Sequence, residues 1–319
     1  MHLGMSDVLV VAPIHEDALQ LMRDSGLGVT DARGKSAEEL RQLLKTHRAL
    51  LGRAGVKIDD ELLAEAPQLR VVAVGSVGMD SLDLPYLYSR GLKVFNAAGG
   101  NRNAVAELSV GNAIALLRQT HKANADLHKG IWPAMFQRPE GFELWHKTVG
   151  IVGLGDIGSL VARLFLAFET SVIACDPYVR YVYDQSLRQS PAVEMVALDE
   201  LLRRSDVITV HVPLTDETYH MFSAEQFKLM KPSAYFMNYS RGKVVDEPAL
   251  ADALETQQIA GAAIDVFEVE PANDSVLLGL DNCIVTPHIA GVPREAMRRL
   301  GMTVAQRIVN ELTSSNTAS

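Results

Sequence analysis

Hydrophobic residues in this chain come in short runs separated by longer amphipathic stretches, and that alternation predicts the elements. Asp7 to Ala12 reads as a strand, and Glu16 to Arg23 as a helix that ends before Gly26. Ser36 and Glu39 supply the two halves of a capping box for a helix running to about Thr46, and Ala49 to Leu51 is a short strand. Asp59 to Ala66 is a helix stopped by Pro67, and Val71 to Val74 a strand. Leu84 to Arg90, closed by Gly91, precedes a strand around Val94. After Ala98-Gly99-Gly100, which reads as a hinge, Asn103 to Leu117 predicts a long helix with Val105, Leu108, Ala113 and Leu116 facing a core. Val149 to Val152 and Ser171 to Cys175 read as strands around a helix from Ser159 to Phe168. Further strand-like runs follow at Val207 to Val212, Ala234 to Met237, Ile259 to Ile264 and Cys283 to Val285. Helices are expected at Leu198 to Arg204, Ala224 to Leu229 and Glu247 to Glu255, and an amphipathic one from Pro293 to Leu312. Strands that alternate with helices imply an α/β fold with parallel sheets covered on both faces.

Length divides that pattern in two, because 319 residues exceed the size at which one core usually stops growing. Hydrophobic content of 48% with 22% charged residues fits a globular chain. A net charge of −9 leaves no basic surface for nucleic acid or for an anionic membrane. Cys175 and Cys283 adjoin apolar runs, which suits buried thiols in a reducing compartment rather than a disulfide framework. Val8 to Ala12 is too short for a signal sequence or a membrane span, and no basic region precedes it, so a cytoplasmic address is expected. The nine histidines are scattered without metal-ligand spacing, so no metal is expected.

One stretch organises the rest. Gly153-Leu154-Gly155-Asp156-Ile157-Gly158 follows an apolar run and opens a helix. Gly153 permits a sharp turn off the strand, Gly155 keeps side-chain atoms away from a pyrophosphate, and Gly158 lets the helix lie close on the sheet. The phosphates then meet the free N–H groups and positive end of that helix. Asp176 stands at the tip of the next apolar run, where a carboxylate accepts hydrogen bonds from adenosine ribose hydroxyls and repels a 2′-phosphate. NAD is therefore favoured over NADP.

Ligands in such sheets bind beyond the carboxyl ends of the strands. His211-Val212-Pro213, Ser240-Arg241-Gly242, Asp265 and Pro287-His288 all directly follow apolar runs, so they should converge on one edge, with Glu270 nearby. A guanidinium, an imidazole and an acid suffice to reduce a 2-oxo acid by hydride transfer. Charge left on the carbonyl oxygen is met by a proton from a cationic imidazole, whose cationic form a neighbouring carboxylate favours. Arginine offers a rigid fork to the substrate carboxylate.

Tyr239-Ser240-Arg241-Gly242, Asp265-Val266-Phe267-Glu268-Val269-Glu270-Pro271 and Thr286-Pro287-His288-Ile289-Ala290-Gly291 together resemble the D-isomer-specific 2-hydroxyacid dehydrogenases. That resemblance implies that Arg241 binds substrate, that His288 is the general acid/base and that Glu270 pairs with it. It puts Asp265 near the nicotinamide carboxamide and His211 to Pro213 near the adenine half. It also implies two doubly wound parallel-sheet domains, a Rossmann NAD-binding domain (residues 100–291) inserted into a flavodoxin-like substrate-binding domain (1–99 and 292–319). Hinges near Gly100 and Gly291 then allow closure over substrate. The family is usually dimeric through the segment after the first hinge, which would account for Trp132, Pro133, Phe136, Pro139 and Trp145 between Gly130 and Trp145.

Gly75-Ser76-Val77-Gly78, a loop after a strand, supplies backbone N–H groups for the substrate carboxylate on the side opposite Arg241. Arg53-Ala54-Gly55-Val56-Lys57 resembles the phosphate-binding stretch of phosphoglycerate dehydrogenases, yet Ala54 and Val56 replace hydroxyl residues and Val74 stands where a second arginine is common. Ser76-Val77-Gly78-Met79-Asp80 resembles glyoxylate/hydroxypyruvate reductases. A small unphosphorylated 2-oxo acid is therefore the first choice, with 3-phosphoglycerate dehydrogenation as the alternative and a non-catalytic NADH sensor as a remote one. Two departures from the family pattern stand out. Asp156 brings negative charge towards the expected pyrophosphate, and His146 occupies a position that is often glycine.

Overall fold

The computed structural model describes residues 6–53, 56–80, 82–133, 140–179 and 193–314. Ala54 and Gly55 of the basic stretch, and Phe136 and Pro139 of the aromatic segment, lie outside the described residues. The chain divides into two compact units, one formed by Met1–Asn101 with Val292–Ser319 and the other by Arg102–Gly291. Among the described residues no helix is long and apolar enough to cross a membrane.

The first unit carries β1 (Ser6–Val10), α1 (Glu16–Asp24), β2 (Gly28–Asp31), α2 (Ala37–Leu44), β3 (Ala49–Gly52), α3 (Asp60–Leu63), β4 (Val71–Val74), α4 (Leu84–Ser89) and β5 (Lys93–Phe95). Its strands form one parallel sheet in the order β2-β1-β3-β4-β5, the flavodoxin-like arrangement. The capping box of α2 is formed by Ser36 and Glu39 in both directions. β2 was not expected from the pattern; it is an edge strand that opens with a glycine and buries no residue fully. Val10, Met22, Leu51, Val304 and Ile308 pack one face of the sheet, and Leu9, Leu44, Leu50, Val72 and Leu87 the other. Val304 and Ile308 belong to the chain's last helix, Arg294–Ser314, which returns to lie on α1. Gly301 makes that approach possible, since a Cβ there would stand 3.2 Å from Cβ of Ala18.

The second unit carries α5 (Arg102–Arg118), α6 (Thr120–His128), β6 (Thr148–Val152), α7 (Asp156–Leu166), β7 (Ser171–Cys175), β8 (Val193–Met195), α8 (Leu198–Arg204), β9 (Val207–Val210), α9 (Ala224–Leu229), β10 (Tyr235–Asn238), α10 (Glu247–Glu255), β11 (Gly261–Ile264) and β12 (Cys283–Val285). Its seven parallel strands run β12-β11-β10-β9-β6-β7-β8, so the order reverses between β6 and β9. That is the Rossmann arrangement with its switch point beside the glycine turn.

The register fixes what lies at the carboxyl edge. Cys175, Val152, Val210, Asn238, Ile264 and Val285 pair across neighbouring strands as one row. One residue further on, Asp176, Gly153, His211, Tyr239, Asp265 and Thr286 therefore leave the sheet side by side, each strand about 4.8 Å from the next. The convergence expected from the apolar runs is what the sheet produces.

Candidate active site

At the switch point the glycines do separate work. Gly153 has φ of 90°, and a Cβ there would stand 2.8 Å from the carbonyl oxygen of His211. A Cβ on Gly158 would lie 2.0 Å from the carbonyl oxygen of Gly153, so only glycine allows α7 to start where it does. Gly155 faces open space, with nothing within 4 Å of its Cβ position. No side chain caps α7, and the N–H groups of Asp156, Ile157 and Gly158 meet no partner among the described residues. A helix end with free N–H groups and a bare approach fits a pyrophosphate. Asp156 is exposed on the first turn, where its charge suits the helix dipole.

Asp176 closes the turn from the other side. Its Oδ2 accepts the N–H of Leu154 at 2.8 Å, and its Oδ1 accepts those of Tyr178 and Val179 at 2.8 and 3.1 Å. Cys175, half-buried beside it, has its thiol pushed up by burial and by the Asp176 charge. His211 donates or accepts at Nε2 with Oγ1 of Thr209 (2.9 Å) and stacks on Tyr239, while its Nδ1 is sealed from solvent with no partner among the described residues. Burial pushes this imidazole down to about 3, so it is neutral at working pH. Val212 is half-buried and Pro213 exposed on the same loop.

Arg241 sits on a turn that Asn238, buried at the end of β10, builds from beneath. Oδ1 of Asn238 accepts the N–H and the hydroxyl of Ser240, and its Nδ2 donates to the carbonyl of Arg241. The half-buried guanidinium donates through Nη1 to the Ser240 carbonyl at 2.8 Å. Gly242 then presses against the strand end beyond β11: a Cβ on it would fall 1.8 Å from the carbonyl carbon of Phe267. The missing side chain thus brings the Arg241 turn onto the backbone three residues before Glu270.

Nδ1 of His288 and Oε2 of Glu270 are 2.8 Å apart, and Oε1 of Glu270 accepts the N–H of Phe267. Both side chains remain open to solvent, 49% and 39% exposed, on the wall of a cleft of about 540 Å³ shared with Pro271, Leu278, Thr286 and Pro287. His288 is held at φ of 53°, a conformation few non-glycine residues adopt. Asp265 holds it there. The carboxylate is buried and accepts from Thr286 Oγ1 (2.6 Å), Ile289 N–H and Ala290 N–H (both 2.8 Å), while its backbone carbonyl takes the N–H of His288. Three of its roughly four acceptor positions are used by the chain itself.

In the first unit, Arg53 follows β3 and the Ser76 loop follows β4, its neighbour. Three carbonyls of that loop are engaged: Ser76 by the N–H of Ala97, Val77 by Nδ2 of Asn96, and Gly78 by Oγ of Ser76. The N–H groups of Ser76, Val77 and Gly78 take no partner among the described residues. Arg53 is half-buried, which lowers its affinity for the proton, and no carboxylate among the described residues pairs with it. Lys57 does have a partner, Asp59, at 2.6 Å.

Residues 110–290 match the family model described as D-isomer specific 2-hydroxyacid dehydrogenase, NAD binding domain. The chain belongs to that family. Residues 110–290 are thus the NAD-binding domain of a 2-hydroxyacid dehydrogenase family member. This family member is 39% identical to a D-3-phosphoglycerate dehydrogenase of Methanocaldococcus jannaschii over 95% of the chain, but spans only 57% of that relative's length. It is 33% identical to a hydroxypyruvate reductase of Thermotoga maritima over 94% of the chain and 96% of the relative. A D-lactate dehydrogenase from Aquifex aeolicus, solved with NAD and lactic acid, superposes with a TM-score of 0.82 at 30% identity, covering 98% of this chain and 97% of the other.

In this dehydrogenase family member two holding roles escape sequence reading: Asn238 builds the turn two and three residues on, and Asp265, read from sequence only as a cofactor contact, holds residues up to 25 positions away. Only the glycine after Arg241 hinted at a close backbone approach. His146 is at φ of 57°, which explains why glycine suits that position, and its ring lies tilted against that of Trp145. Among the described residues, no group of three or more potential ligand side chains could hold a metal ion.

Proposed function

We propose that this protein is an NAD-dependent oxidoreductase that interconverts a small 2-oxo acid and its 2-hydroxy acid, with glyoxylate and hydroxypyruvate as first candidates. The observation that carries this reading is the 2.8 Å pair of His288 and Glu270, on the same sheet edge as the NAD turn and the Arg241 turn. The N–H groups at the start of α7 take the pyrophosphate, and Asp176 takes the ribose hydroxyls. His211 to Pro213 cover the adenine half, and the remaining acceptor position of Asp265 meets the carboxamide. Bound NADH supplies the hydride. His288 gives the Nε2 proton to the carbonyl oxygen as charge gathers there, and Glu270 at Nδ1 fixes the ring. Arg241 grips the substrate carboxylate. Incubation with NADH and a panel of glyoxylate, hydroxypyruvate, pyruvate and 3-phosphohydroxypyruvate tests this: oxidation with one of the unphosphorylated acids supports it, and none with any overturns it.

D-3-phosphoglycerate dehydrogenation is the second reading. It is favoured by Arg53, a partly desolvated cation with no carboxylate partner among the described residues and suited to a phosphate, and weakened because Lys57 is committed to Asp59. If it holds, 3-phosphohydroxypyruvate outruns hydroxypyruvate and Arg53→Ala removes the difference.

The exposed Leu127, Ile131, Trp132 and Trp145, with Trp132 75% exposed, support a homodimer through this segment. Sedimentation showing a monomer at micromolar concentration would remove that part of the proposal.

A further inference from the structure

Glu247, the first residue of α10, is a buried carboxylate that none of the roles above uses. Its oxygens are not spent on its own helix, whose free N–H at Ala249 is capped by Asp246 instead. Oε1 accepts the N–H of Glu268 at 2.5 Å, and Oε2 accepts the hydroxyl of Ser275 at 2.8 Å. Glu268 answers by accepting the N–H of Glu247 at 3.0 Å. One side chain therefore ties both ends of the 268–275 loop, and Glu270 lies on that loop. Burying a carboxylate is costly unless its hydrogen bonds are strong ones, and here both go to the loop ends.

We propose that Glu247 is a positioning residue for the Glu270–His288 pair: by clasping both loop ends it holds Glu270 where its carboxylate meets Nδ1 of His288. The proposal rests on the reading of that pair as the acid/base. The titratable groups around the clasp are Glu268, His220 whose Nε2 lies 3.2 Å from Oε1 of Glu268, and Cys283 on β12, which feels the Glu247 charge. Around His288 they are Glu270 and the buried Asp265. Gly242 packs on Phe267 and Glu268, so the clasp also braces the Arg241 turn.

The experiment is a double-mutant cycle on the full chain with NADH and the best acid of the panel. Glu247→Ala is expected to lower kcat about tenfold while NADH affinity changes by less than about twofold, the mark of a group acting on the chemical step. Glu247→Gln keeps one acceptor, and the Ser275 hydroxyl can turn to accept from its amide, so it restores most of the rate. In the Glu270→Gln background Glu247→Ala should cost almost nothing further, because there is no longer a carboxylate to position. An equal loss in both backgrounds overturns the proposal. If Glu247→Ala does not fold, Ser275→Ala carries the test: it removes one arm of the clasp, so kcat should fall about twofold to threefold, and a wild-type kcat overturns the proposal. A wild-type rate in Glu270→Gln alone overturns the acid/base reading itself, and the clasp with it.

Discussion

Two places along one strand row in the second unit are built by opposite means. At β6 the NAD turn is made by leaving side chains out: Gly153 and Gly158 bring backbone to backbone, and Gly155 leaves the approach bare. At β11 and β12 the candidate acid/base is made by putting side chains in, with a buried Asp265 and Glu247 steadying an imidazole and a carboxylate that stay open to solvent. Backbone recognition tolerates no added atoms but needs no partners. Side-chain recognition survives substitution as a fold but loses its geometry.

That contrast can be broken most forcefully at Gly242, where the two kinds of construction meet. Gly242→Ala places a Cβ within bonding distance of Phe267 backbone that cannot give way, and should cost about 3 kcal/mol or more of stability, read by thermal or urea melts. Unchanged stability would mean that the Arg241 turn does not lie on that strand end.

Gly155→Ala sharpens the contrast from the other side. Its Cβ would touch no protein atom, so the melting temperature should move by no more than about 2 °C. NADH binding should nevertheless weaken about tenfold or more, roughly 1.4 kcal/mol, because the new methyl occupies the pyrophosphate's approach. Fluorescence titration with NADH checks this, and wild-type affinity would place the phosphates elsewhere.

A smaller effect concerns pH. The folded state keeps His211 neutral down to about 3, whereas the unfolded chain takes up a proton below 6.5. Protons therefore favour unfolding, and this contribution to stability is present above 6.5 and lost as pH falls towards 3. His211→Gln should lose stability less steeply on acidification, measured by melts across that range, and an unchanged slope would contradict the buried, neutral imidazole.

The legibility of the chain in its sequence divides along the same line. Most strands and helices could be read from local periodicity, and the glycine turn from residues that are contiguous. β2 escaped because an exposed edge strand opening with glycine carries little apolar pattern, and α6 because it buries none of its residues. Arg241 and His288 could be placed on the carboxyl edge from the apolar runs they follow, and Glu270 only as a nearby acid. Their supports could not, since Asn238 looks like any strand residue and Glu247 like an ordinary first-turn acid until the loop it holds, 21 to 28 positions on, folds against it.

The most direct test of the account is His288→Ala, assayed for NADH binding and for NADH oxidation in the presence of the preferred 2-oxo acid. Removing a general acid should lower turnover by about a hundredfold or more and leave NADH affinity within about twofold. Turnover close to wild type would contradict the account, and loss of binding together with turnover would mark His288 as a structural residue instead.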